Sequence, residues 1–266
     1  MKQPFTTLFL TSLLLTATLS KAQTRVPNGD GSSLSAGTEG NNILKINLPA
    51  IALNNYSIQY ERAVGRKVSV GLTYRFMPKS GLPLKGAVEN IIDDAETWKQ
   101  IKDLKTSNFA LTPEVRFYFG QSAFRGLYVA PFVKIARYKA DLPNFEYDVE
   151  LDPALGMGST VTEHIPLNGK LNTITGGVLI GAQWKLSKVL YLDWWILGPQ
   201  YGSSKGHLTG TKDLDQYEQK ALKEELEDLD IPMVDTKTEV NNRGARLDMD
   251  GPWTGLRAGI NLGIRF

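Results

Sequence analysis

Nine charged residues sit at alternate positions of otherwise apolar segments. They are Lys45, Glu61, Arg75, Glu114, Arg116, Lys134, Lys185, Asp193 and Arg257. In an extended chain, successive side chains point to opposite faces, so these charges share a polar face backed by a hydrophobic one. Buried charges are costly unless paired. The residues therefore suit an internal ion-pair network around Glu61, Glu114 and Asp193, with Arg75, Arg116, Lys134 or Arg257 as partners. An ion path is the alternative chemistry. Its excess of six bases over three acids would favour anions.

Other chemistries find less support. The chain has only two histidines. His207 lies near Ser203 and Ser204, and His164 follows Glu163. Catalysis would need a nucleophile, a base and an orienting group to converge, which neighbourhood in sequence does not supply. No cysteine exists, so disulfides and thiolate zinc sites are excluded. The stretch 212–230 carries eight acids and three lysines, but its carboxylates lack the spacing of a calcium-binding loop. "GTEGNN" and "GMGST" have neither Walker nor Rossmann spacing. The expectation is a non-enzyme without a catalytic residue, metal or cofactor.

The segments that must carry these charges read as eight strands: 43–53, 56–64, 67–77, 109–119, 125–138, 171–186, 189–201 and 253–266. "KVSVGLTYRFM" shows the pattern most clearly, with Val68, Val70, Leu72, Tyr74 and Phe76 against Ser69, Gly71, Thr73 and Arg75. The connections run short, short, long, short, long, short, long. In an antiparallel meander the even-numbered connections share one end, and here all of those are short. Such sorting matches a transmembrane barrel, with tight turns on one side and longer loops on the other. Strands of about 9–16 residues also exceed the usual five or six. A soluble sandwich, or a barrel with its apolar face inward, is the competing reading. Three features oppose it: a polar face rich in Gly, Ser, Thr and Ala, charges of both signs on that face, and aromatics near strand ends (Tyr74, Phe76, Phe117, Phe119, Trp184, Trp253, Phe266).

The front of the chain sets a compartment. "MKQPFTTLFLTSLLLTATLSKAQ" has a basic start, an apolar stretch too short to span a bilayer, and small residues at a cleavage site. A signal peptide is expected over 1–22, followed by a flexible periplasmic segment over 23–42 and the barrel over 43–266. Formal net charge is +2, and losing Lys2 and Lys21 brings it to zero. No basic excess points to nucleic acid.

Together these features resemble the small Gram-negative outer-membrane β-barrels related to OmpA, OmpX and OmpW. The stretch "NLPAIALNNYSIQYERAVGRKVSVGLTYRFMPK" is similar to an uncharacterised family of outer-membrane barrels known mostly as a domain of unknown function. The resemblance implies a single all-β, eight-stranded antiparallel up-and-down barrel. It also implies that Ile260, Leu262, Ile264 and Phe266, in "GLRAGINLGIRF", form the signal read by the barrel assembly machinery.

Two of the long inserts change period from 2 to 3.6. Residues 82–104 place Val88, Ile91, Ile92, Ala95, Trp98 and Ile101 at helical spacing. Residues 212–230 do the same with Leu214, Tyr217, Ala221, Leu222, Leu226 and Leu229. Both amphipathic helices are expected in extracellular loops, packed on each other or on the barrel mouth. Their apolar faces centre on Ile91, Ile92, Trp98, Leu222, Leu226 and Leu229. The functional expectation is an outer-membrane anchor, bathed in outer-membrane lipid, whose loops serve a protein or polysaccharide partner. The alternatives are a small passive conduit for hydrophobic or anionic solutes and, behind it, a lipid A-modifying enzyme.

Overall fold

Alternating β-branched and aromatic residues draw most of this chain into strands. A computed structural model describes residues 40–92, 94–150, 160–228 and 233–266. The expected signal peptide, and the flexible segment up to residue 39, lie outside the described residues, as does Leu229.

The elements are β1 (Asn42–Asn47), α1 (Leu48–Ala52), β2 (Tyr56–Ala63), β3 (Val68–Gly81), α2 (Lys85–Ile91), α3 (Ala95–Ile101), β4 (Lys105–Tyr118), β5 (Gly126–Glu150), β6 (Thr160–Lys185), β7 (Leu190–Thr211), α4 (Gln216–Glu227), β8 (Asp235–Asn241) and β9 (Gly244–Arg265). The fold is mainly β and antiparallel. Each strand from β1 to β6 pairs with the next, β7 pairs with β9, and β9 returns to β1. Hydrogen bonds thus ring through eight strands. The seam is in register, with Leu44 opposite Ile264 and Ile46 opposite Leu262. The ninth strand, β8, stands outside the ring and pairs only with β9.

The connections fall at two ends. At the turn end lie Val64–Lys67, Phe119–Arg125 and Leu186–Val189, beside the start of β1 and the finish of β9. At the loop end lie α1, α2 and α3, the finish of β5 and the start of β6, and α4 and β8.

Two expectations about length change. The first strand stops at Asn47 rather than 53, because Asn47 caps a short helix by accepting a hydrogen bond from the Ala50 backbone N–H at 3.0 Å. Pro49 starts that helix well and cannot donate to a strand ladder. Much of the expected loop sequence is strand: β5, β6, β7 and β9 run 25, 26, 22 and 22 residues. Pro143 and Pro166 look like loop punctuation in the sequence. Both sit at a bulge between Leu142 and Phe145, where a missing N–H is tolerated. Beyond the bulge Phe145, Tyr147 and Val149 keep alternating, on the face that continues the ring's interior.

Burial is inverted relative to a water-soluble sheet. Lys45, Glu61 and Arg116 are buried at 1%, 0% and 0% exposure, whereas Leu44, Leu72 and Ile264 on the outer face are 47%, 44% and 59% exposed. Apolar side chains cluster on the inner face in two places. One cluster, including Tyr118, Phe124, Tyr128, Phe132 and Trp195, sits inside the ring. The other lies beyond it at the loop end, where Leu222 and Leu226 of α4 meet Phe145, Tyr147, Ile165, Leu167 and Ala245. A capping box at Asp215 and Glu218 fixes the start of α4.

Candidate functional site

All eight ring strands send side chains to one inner cluster. Lys45 (β1) ion-pairs with Glu61 (β2) and with Asp193 (β7), the latter at 2.7 Å. Arg116 (β4) joins all three acids: Nε to Glu114 at 2.5 Å, and Nη1 to Asp193 at 2.8 Å and to Glu61 at 3.3 Å. Arg257 (β9) completes Glu114 at 2.5 Å and donates to Thr73 (β3) at 3.1 Å. Three cations therefore balance three carboxylates.

Neutral groups take up the remaining lone pairs and N–H bonds. The Tyr128 hydroxyl (β5) donates to Asp193 at 2.7 Å, and the Trp195 indole N–H does so at 3.1 Å. Gln59 accepts from Arg116 at 2.9 Å and donates to Glu114 at 3.0 Å. The Tyr118 hydroxyl lies 2.6 Å from Glu61, and Ser69 also donates to Glu61. Gln183 (β6) accepts from Lys45 at 3.1 Å and from Arg116 at 3.3 Å. Two guanidinium groups lie over aromatic faces, Arg116 at 4.4 Å from the Tyr128 centroid and Arg257 at 4.0 Å from that of Trp195. Such stacking suits arginine better than lysine. Gly181 makes the packing possible, since a Cβ there would stand 2.3 Å from the Tyr128 hydroxyl.

The turn end is closed by an aromatic residue. Phe124 adopts a left-handed φ of 68° and is fully buried. Its ring meets Tyr118 and Tyr191 edge-on, and Arg265 lies 5.1 Å from its centroid. Strain at a non-glycine residue persists only where the surroundings hold it, and here burial of the ring does so.

Three of the nine expected network residues stand apart. Arg75 and Lys134 lie on the loop side of the cluster and, among the described residues, pair with no carboxylate. Arg75 meets the Tyr138 hydroxyl at 3.5 Å, and Lys134 is 6.0 Å from the Tyr138 ring centroid. Lys185 sits at the turn end, opposite Tyr191 in the ladder. Sequence reading missed the neutral partners. Gln59, Tyr118 and Gln183 were visible on the polar parity. Trp195 was on it too, in line with Tyr191 and Asp193 and ahead of the register shift between Trp195 and Gly198, but an indole beside Trp194 reads as apolar rather than as a donor.

On β9, Ile260, Leu262 and Ile264 lie on the outer face and Phe266 is exposed. Trp253, expected among outward strand-end aromatics, instead points inward and packs on Tyr138 at 5.7 Å. The apolar residues of the first insert do not form one helical face. The chain breaks at Ile92, leaving Ile91 exposed and Trp98 half-buried, while Ile101 is buried. Helix α3 covers the free edge of β5. The Gln100 side chain donates to the Glu146 carbonyl and accepts from its N–H, both at 3.2 Å, which satisfies an otherwise open strand edge.

Ser203 and His207 lie on the outer face of β7, roughly 13 Å apart along the strand, while Ser204 faces inward and donates to the Gly251 carbonyl. His164 is exposed beside Glu146 at 3.8 Å. Glu163 points to the other face and pairs with Lys212 at 2.6 Å. Partial burial opposes the charge on Lys212, but hydrogen bonds from it to Glu163, Glu218 and Tyr147 outweigh this and hold its pKa above the ordinary lysine value. Lys212 thereby ties the entry of α4 to β5 and β6. Among the described residues, no group of His, Asp and Glu is placed to hold a metal ion.

No curated protein matches the chain. A family model described as a protein of unknown function (DUF3575) matches residues 10–223, most of the sequence, and the chain belongs to that family.

Proposed function

We propose that the protein is an eight-stranded transmembrane β-barrel of the Gram-negative outer membrane that anchors a folded head on the cell surface. The observation that carries this reading is the inverted burial: carboxylates and cations inside, leucines and isoleucines outside. Only an apolar solvent makes that arrangement favourable.

The outer apolar belt has definite limits. On β9 it runs from Leu256 to Phe266, and on β7 from Leu190 to Tyr201. That is about ten residues per strand, the length of a tilted bilayer crossing. Above it the outer face turns polar. Arg137 donates to Asn172 at 2.9 Å and Lys205 pairs with Asp250 at 2.8 Å. The head above the belt comprises the extensions of β5, β6, β7 and β9, the added strand β8, and α4 packed on their inner face. Any protein or polysaccharide partner meets this head. The interior favours an anchor over a conduit, because Phe124 and the neutral ion cluster fill the turn-end half. The barrel assembly machinery, acting through Ile260, Leu262, Ile264 and Phe266, is the proposed route into the membrane.

The native chain lacks cysteine, so single cysteines report sidedness cleanly. On intact cells, Lys220→Cys on α4 is expected to react with a membrane-impermeant maleimide. Arg66→Cys in the β2–β3 turn is expected to react only after the envelope is opened. Labelling of both, or of Arg66→Cys alone, would overturn the proposed orientation.

A further inference from the structure

The barrel interior is not uniform along its axis. Its turn-end half is electrically balanced, as Lys45, Arg116 and Arg257 match Glu61, Glu114 and Asp193. Nearer the loop end the balance fails. Arg75 and Lys134 both face inward, share this space with Arg257, and among the described residues have no ion pair with a carboxylate. Among the described residues, the Arg75 Nε atom is buried without a hydrogen-bond partner. The tilted rings of Tyr138 and Trp253 pack together beside Arg75 and Lys134, with centroids 5.7 Å apart. Arg75, Lys134, Tyr138 and Trp253 all retain partial exposure, so water reaches them.

Two like charges held by rigid strands cannot separate to relieve repulsion. The protein's own carboxylates are already committed below. We propose that this chamber is a binding site for a small oxyanion, a phosphate or carboxylate group. Arg75 and Lys134 supply the charge, and the Arg75 Nε–H and the Tyr138 hydroxyl supply donors. Charge-assisted bonds from a planar guanidinium are the strong kind for such ligands. Trp253 forms the wall on the head side.

The test uses the folded full chain in non-ionic detergent, titrated calorimetrically with inorganic phosphate and, separately, with succinate, against chloride at matched ionic strength. Saturable binding of either oxyanion is expected, and the better of the two identifies the headgroup. Arg75→Gln and Lys134→Gln should each weaken it by about tenfold or more. Lys134→Glu should abolish it while raising the unfolding midpoint, since Arg75 then gains a partner. The proposal is overturned if chloride acts as well as the oxyanions. Binding that survives Lys134→Glu, or a fall in the midpoint on that substitution, overturns it too.

Discussion

Replacing Arg116 by methionine is expected to destabilise the folded protein by about 3–5 kcal/mol, the usual result of removing one member of a buried charge network. The reason is specific to its position. Arg116 alone touches all three acids, and Lys45 and Arg257 cannot cover its share. Glu114 keeps Arg257, and Glu61 and Asp193 are left to a single ammonium. Arg116→Lys should recover only part of the loss. A lysine cannot reproduce the fork that meets Glu114, Asp193 and Gln59 together, or the stacking on Tyr128. Urea unfolding in lipid vesicles, followed by tryptophan emission, measures the cost. A loss below about 1 kcal/mol would mean that water already solvates the three carboxylates, and the packed-interior reading would fail.

Leu72→Arg carries the second large effect. Leu72 lies on the outer face of β3, opposite Tyr60 on β2 and Pro113 on β4, and is 44% exposed. In water this substitution would be neutral or favourable, because it covers no core. In hydrocarbon it should cost about 2–4 kcal/mol, whereas the same residue near the interface costs about 0–1. Asn172→Arg, on the outer face just above the belt, is the internal comparison. A large penalty at Leu72 with almost none at residue 172 is the pattern lipid produces. Equal small effects at both sites would point to aqueous solvent around the ring.

Much of this fold was legible because the ring imposes the same rule on every strand. Val68 to Phe76 alternate so regularly that face and register follow from the pattern alone. The sorting of short and long connections gave the topology. What the pattern concealed lies where the rule is broken locally. A bulge at Leu142–Phe145 resets parity, so Pro143 and Pro166 read as loop and the β5–β6 extension went unseen. The β8–β9 hairpin had a visible signal, "NNRG" between "TKTEV" and "ARL", but its strands carry too many charges to look half-buried. Their partner is α4 and the neighbouring edge, not a continuous apolar face.

The ion cluster shows the same division. The polar parity named its charged members. It could not say which cations reach which acids, because Lys45, Arg116 and Arg257 meet across the ring from residues up to 148 positions apart in sequence. Side-chain length and strand stagger settle that, and both are three-dimensional. Phe124 was unreadable for a related reason. A phenylalanine in a tight turn looks like a surface residue until the turn is seen folding back into the ring.

Trp194 and Trp195 test the central claim most directly, since adjacent residues on β7 face opposite ways: Trp194 is 46% exposed on the outside and Trp195 is 4% exposed inside. Single-tryptophan versions of the chain, retaining one or the other, would be folded into vesicles whose acyl chains carry bromine, a contact quencher. The proposed barrel requires strong quenching of Trp194 and little of Trp195. Equal quenching of the two, or none of either from a chain that stays monodisperse in plain buffer, would contradict it.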